Sequence, residues 1–435
     1  MATETSLSNV FPLGSRLNER GRLEVGGCDT VELAREFGTP AYVVAEDDLR
    51  ARARAFVQAG ATAGHADFHT VFASKAFPCT AVLALFAQEG LWCDVASGGE
   101  LHLALNAGYA AERIVMHGNA KSEAELQMVL ETRVGLIVVD NFDELDRLER
   151  LIAGDAHGRE PQGVLIRVTP DVRGETHEKI STGQADSKFG FSMDDARAAI
   201  ERVEGIDGLE LAGLHAHIGS QLLELDPFRC EVAELAKLGS ETHPPGGFSV
   251  WDLGGGLGVA YTESQPSPPT IEEYVGMLVR GAREHGMDAP GKRLLIEPGR
   301  ALTANAGVTL YTVESVKRNV STWVGVDGGM SDNLRPMLYC ASYEAHVADR
   351  FGGATSCVLA GKHCESGDVI VREALLDDPR PGDVIVTPAT GAYGFAMANN
   401  YNGVPRPPVI FCRDGDAREV VRRESFDDLI ARDVR

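Results

Sequence analysis

Residues 67–76 read DFHTVFASKA, a short apolar run that closes on a serine and Lys75. Seven more runs of this type follow at a regular pitch. They are LWCDVAS (91–97), RIVMHGNA (113–120), GLIVVDN (135–141), GVLIRVTP (163–170), LAGLHAHIG (211–219), FSVWDLGGG (248–256) and RLLIEPGR (293–300). Between them, stretches such as ELHLALNAGYA, EAELQMVLET, FDELDRLERLIAG and DDARAAIERVEGI carry apolar residues at i, i+3, i+4 and i+7. Eight strands alternating with helices predict an α/β fold, a (β/α)8 barrel of the TIM type, over residues 45–305. Every run ends in polar or glycine-rich residues. Barrel enzymes carry their chemistry at those strand ends, so the pattern points to one site at one mouth.

After residue 305 the texture changes. VTLYTVESVKR, TWVGVDGG, SCVLAGKHC, DVIVREALL, GDVIVTPATGAY and PPVIFCR are short strands split by Gly and Pro turns. Residues 306–435 are therefore expected to form a β-barrel or sandwich domain. Residues 1–44 hold a strand-like RLEV and a short helical VELAREFG, and are expected to pack with that β-domain. The stretch 261–274 reads as a surface loop.

The chain has 435 residues, 41 basic against 64 acidic, for a formal charge of −23. Such a surface repels phosphate backbones and anionic lipid, which argues against nucleic-acid and membrane partners. No apolar run approaches the length of a membrane span. Eight scattered cysteines without CxxC spacing read as free thiols of a cytoplasmic protein.

Only eight lysines occur. Lys121, Lys179, Lys237, Lys292 and Lys317 read as solvated surface, and Lys188 and Lys362 lie in loop-like segments. Lys75 differs, because it closes the first run at the barrel mouth. Desolvation there would lower its pKa and make it nucleophilic, whereas a plain rim lysine would snorkel outward. Glu297 ends the eighth run and needs a cation, either a protonated pyridine nitrogen or a nearby arginine. His217 ends the sixth run, where its ring could stack on a flat cofactor. Glycines 254, 255, 256 and 258 follow the seventh run. Backbone N–H groups there can approach a phosphate, as barrel phosphate sites do after strands seven and eight. His215 and His217, two apart, also suit a pair of metal ligands, with His117, Asp140 and Asp252 as candidate partners. That reading leaves Lys75, the glycines and EPGR without a task, so no metal is expected.

These residues carry a resemblance. FASKAF, CDVASGGEL, MHGNAKS, THEKISTGQADSKFGF, GLHAHIGSQ, DLGGGLGVAY, IEPGRAL, VDGGMSDNLRPMLY, GKHCESGD and GAYGFAMANNYN run in order over about residues 40–405. The chain resembles the fold type III, alanine-racemase-like pyridoxal-phosphate decarboxylases, and among them the diaminopimelate decarboxylases. The resemblance implies that Lys75 carries pyridoxal 5′-phosphate, that His217 stacks on its ring and that Glu297 pairs with its ring nitrogen. It implies a phosphate site of Ser220, Gly255, Gly256, the Pro298-Gly299-Arg300 backbone and Tyr393, with Asp94 nearby. It assigns Arg300, Arg335, Tyr339 and Tyr393 to the substrate, Glu365 to its far ammonium, and Cys364 as proton donor from the other subunit of a homodimer.

The implied reaction is decarboxylation of meso-2,6-diaminopimelate to L-lysine and CO2, the last step of lysine biosynthesis. A thiol is mostly protonated near neutrality and can return the proton. A diamine-forming decarboxylase needs only an acid for the distal ammonium. Arg335 adds a bidentate partner for a distal carboxylate, which meso-diaminopimelate carries. The rival readings are a related decarboxylase of ornithine, arginine or lysine, a non-catalytic pyridoxal-phosphate-binding protein, and a metal hydrolase.

Overall fold

All eight apolar runs form strands of one closed parallel barrel. In the computed structural model, which describes residues 7–154, 160–170, 172, 187–243 and 247–434, these are β1 Phe68–Ala73, β2 Trp92–Val95, β3 Ile114–Met116, β4 Leu136–Val139, β5 Gln162–Val168, β6 Leu209–Ala216, β7 Val250–Asp252 and β8 Arg293–Ile296. Each strand pairs with the next, and β8 closes on β1 through Leu294, Leu295 and Ile296 opposite Phe68, His69 and Thr70. The barrel lies within one compact unit, residues 52–258 and 268–299.

Side-chain caps start the connecting helices where the strands end. Ser97 and Asn141 accept from the Glu100 and Glu144 amides, and Ser122 and Thr270 form capping boxes with Glu125 and Glu273. Each cap satisfies N–H groups that the first helical turn leaves without partners. Every strand places at least one residue in the barrel's interior, as Val71, Trp92, Val115, Leu136, Val138, Leu165, Ala212, Val250 and Leu295 form one buried cluster.

Residues 1–51, 259–267 and 300–435 form the second unit. Its main sheet runs in the order Val369–Leu376, Thr355–Ala360, Thr322–Val326, Gly307–Arg318, Ala41–Ala45, Val409–Arg413, Asp416–Val421, with Val384–Thr387 also paired to Gly307–Arg318. The N-terminal strand Ala41–Ala45 thus lies in the middle of this sheet. Val10, Phe11, Leu23, Val25 and Leu33 share its core with Val308, Leu310, Val386 and Ile410.

Several expectations need correction. Lys121 is not solvated. It is 3 % exposed, and its ammonium donates to the Gly118 and Val138 carbonyls and to Glu144 at 2.8, 2.7 and 2.7 Å. A polar neighbourhood in sequence gave no sign of that buried acid twenty-three residues on. Residues 261–274 are not loop throughout, because Tyr261 is buried and the helix Ile271–Glu284 begins before the stretch ends. All eight cysteines are free thiols, five of them buried and Cys230, Cys340 and Cys364 exposed. Lys179 and most of the block THEKISTGQADSKFGF lie outside the described residues. No helix among the described residues is long and apolar enough to cross a membrane.

Candidate active site

A polar layer lies directly above the apolar interior of the barrel. Side chains two apart on a strand share a face. Two residues beyond Trp92, Val115, Val138, Leu165, Val250 and Leu295 come Asp94, His117, Asp140, Arg167, Asp252 and Glu297, all buried. In β6 a register shift between Leu211 and Gly213 moves His215 into the same layer, level with Arg167 and Asp252.

Glu297 is the centre of this layer. Its Oε2 lies 3.2 Å from His215 Nε2 and its Oε1 lies 2.6 Å from His117 Nε2. The two rings meet edge to face at 4.9 Å. Burial works against a carboxylate here, but the two imidazoles outweigh it and hold Glu297 well below the usual carboxylate range. Asp252 behaves oppositely. Burial and the adjacent Glu297 charge push it well above its ordinary value, so the proton rests on Asp252. Burial lowers His215 to about 3. Arg167 lies 3.9 Å from Asp140.

Lys75 follows β1 and points its ammonium to Asp94 Oδ2 at 3.3 Å. Its side chain is 49 % exposed, so it is held by a carboxylate rather than desolvated as expected. His217 lies beyond the end of β6. Burial and the charges of Lys75 and Arg167 keep its ring neutral, and its Nδ1 accepts from the Gly255 amide at 3.2 Å. His215 and His217 therefore serve different partners. The possible metal-ligand group is His117, His215, Asp252 and Glu297, without His217 or Asp140.

The glycine run has a packing reason of its own. A Cβ at Gly254, Gly255 or Gly256 would come within 2.3, 2.0 and 2.4 Å of the Ala216, Glu297 and Gly219 carbonyl oxygens. The loops after β6, β7 and β8 thus touch backbone to backbone, with Ser220 half-buried beside them. Ala73 N–H donates to the Pro298 carbonyl at 3.3 Å, and a Cβ on Gly299 would lie 3.0 Å from Ala73 Cβ.

The second unit holds a different cluster. Arg300 and Arg335 are each 5 % exposed. Arg300 donates to the Tyr261 hydroxyl, and Arg335 donates to the Tyr343 hydroxyl. The Arg335 guanidinium lies 4.4 Å from the Tyr261 ring, and that of Arg300 lies 4.8 Å from the Tyr393 ring. Arg335 opens the short helix Arg335–Tyr339, on which Tyr339 is half-buried. Elsewhere in this unit Cys364 and Glu365 are exposed. The Cys364 amide donates to Asn402 at 3.1 Å, and Tyr401 donates to Glu365.

Residues 46–304 match the family described as pyridoxal-dependent decarboxylase, pyridoxal binding domain. The diaminopimelate decarboxylase of Bacillus subtilis is 45 % identical over 97 % of both chains, and that of Mycobacterium tuberculosis H37Rv is 42 % identical over 98 % of both.

The chain belongs to the diaminopimelate decarboxylase family.

The crystal structure of the M. jannaschii diaminopimelate decarboxylase in complex with L-lysine superposes with a TM-score of 0.91, at 32 % identity, covering 98 % of this chain and 99 % of that one. In this chain the barrel unit brings together Lys75 with Asp94, His217 with Gly255, and Glu297 with the loops after β6 and β7. The sheet unit brings Arg300, Arg335 and Tyr393 together. Sequence reading gave His117 and His215 only a metal role, and it left out Arg167, Tyr261 and Tyr343. The apolar-x-polar spacing at six of the strand ends was a usable signal for the barrel residues. Nothing local marked the two tyrosines.

Proposed function

We propose that this chain decarboxylates meso-2,6-diaminopimelate to L-lysine and CO2 with pyridoxal 5′-phosphate as cofactor. The observation that carries the reading is the pairing of neighbours β1 and β8. An amine, Lys75, follows one, and an ionised buried carboxylate, Glu297, follows the other. The residues fit the cofactor. Glu297 Oε1 is buried, with His117 Nε2 2.6 Å away but no hydrogen bond of good geometry, and an ionised oxygen so placed suits a protonated pyridine nitrogen. When bound, pyridoxal phosphate supplies an electron sink for the pair left by departing CO2.

The chain's own groups would do the rest. Lys75 would hold the cofactor through its amine, with Asp94 orienting that amine. His217 offers a neutral ring face. Glu297 keeps the ring nitrogen protonated. Ser220, Gly255, Gly256, Pro298, Gly299, the Arg300 backbone and Tyr393 bind phosphate. Arg300, Arg335 and Tyr339 bind the distal carboxylate, with Tyr393 beside them, and Glu365 binds the distal ammonium. Cys364 donates a proton to the substrate carbon, and with Glu365 it serves the partner copy of a homodimer. The exposure of both residues supports that assignment.

Release of CO2 from meso-diaminopimelate, ornithine, arginine and L-lysine tests the reading. Turnover is expected with the first alone and is lost in Lys75→Ala. Faster turnover of a basic amino acid that lacks a second carboxylate would overturn it.

A further inference from the structure

Arg335 is a buried cation with no ion-pair partner among the described residues. Burying such a charge is costly unless something offsets it. Here the offset comes from phenols. Tyr343 accepts a hydrogen bond from the guanidinium, and burial pushes its hydroxyl up to about 12, so it stays neutral. The Tyr261 ring lies under the same guanidinium at 4.4 Å, packs edge-on against the Tyr343 ring at 5.3 Å, and accepts from Arg300 through its own hydroxyl. Both tyrosines are almost fully buried.

A carboxylate in the place of Tyr343 would orient Arg335 as well, but it would also neutralise it. It would then compete with any incoming carboxylate. A phenol and a ring face fix the guanidinium plane and leave its charge unspent. From this we infer that Tyr343 and Tyr261 are positioning residues that make the site select an amino acid with a carboxylate on its distal carbon. They act through Arg335 and do not touch the reacting carbon. This inference rests on the assignment of Arg335 to the distal carboxylate.

The test compares three molecules in the holoenzyme. meso-Diaminopimelate and L-lysine both carry the distal carboxylate, and 1,5-diaminopentane carries only the amines. Tyr343→Phe keeps the ring and removes the acceptor. It should raise KM for meso-diaminopimelate and the inhibition constant for L-lysine by the same factor, roughly tenfold. kcat and the inhibition constant for 1,5-diaminopentane should stay within twofold. Tyr261→Leu removes the ring under Arg335 and should show the same pattern more weakly. It also decides the matter if Tyr343→Phe does not fold. An unchanged KM, or equal weakening of all three molecules, would overturn the inference. Arg335→Ala separates the two levels: if it leaves diaminopimelate binding intact, the assignment of Arg335 itself has failed.

Discussion

The polar layer of the barrel and the Arg335 cluster of the sheet unit bury charge in opposite ways. In the barrel's polar layer and beside it, the charged side chains have compensating neighbours. Lys121 has Glu144, Arg167 has Asp140, Lys75 has Asp94, and Glu297 has two imidazoles, while Asp252 keeps its proton. In the sheet unit, Arg335 is held by phenols alone. The first arrangement fixes one charge state of a rigid site. The second holds a charge in readiness for an anion that arrives and leaves. Under the proposed assignment, one site grips a cofactor and the other turns over a substrate, and the two tasks need these different solutions.

The largest expected effects lie on the compensated side. Glu297→Gln removes the charge that the barrel is built to maintain, and should lower kcat by roughly 10²-fold or more. Stopped-flow turnover with saturating cofactor checks this. Lys121→Met leaves Glu144 buried and unpaired, and should cost about 3–5 kcal/mol in urea unfolding. Adding Glu144→Leu should recover most of that loss. Failure to recover it would mean that the Lys121 bonds to Gly118 and Val138 matter more than the ion pair.

On the uncompensated side, Arg335→Ala should raise KM for meso-diaminopimelate roughly 10- to 100-fold, because a charge-assisted contact is lost. Stability should change little, since removing a buried cation also removes its desolvation cost. A large loss of stability would blur the contrast between the two units.

The most gradual effect is in pH. His215 is held near 3 in the folded barrel against 6.5 for a free imidazole. Between those values the unfolded chain binds a proton that the folded chain refuses. Stability should therefore fall as pH drops through this window, with a slope of about 1.4 kcal/mol per pH unit from this one residue. Glu297, with its lowered value, adds loss in the same direction at more acid pH. His215→Phe should flatten the upper part of the window in unfolding experiments between pH 7 and 5.

The barrel was legible because its signal is local. Each strand announces itself within a few residues, and the polar layer follows two positions beyond the apolar one. The β6 register shift was hidden, since a single extra residue changes no composition, and it brings His215 level with Arg167 and Asp252. The glycine run was legible as a close approach, but the approach present in the structure is backbone against backbone. Lys121 was misread because its acid lies beyond the next helix and strand, on the helix Phe142–Ala153. Tyr261 and Tyr343 went unseen for a related reason. Their value lies in a shared contact with Arg335, which no spacing rule encodes. Site chemistry borne on one strand can be read from the sequence, and site chemistry assembled from separate segments cannot.

The central claim is that Lys75 is the amine that carries the cofactor. Borohydride reduction of the pyridoxal-phosphate-loaded protein, followed by peptide mass mapping, tests it most directly. The account predicts one pyridoxyl group per chain, on the peptide containing Lys75. A label on another lysine, or no label at all, would contradict it.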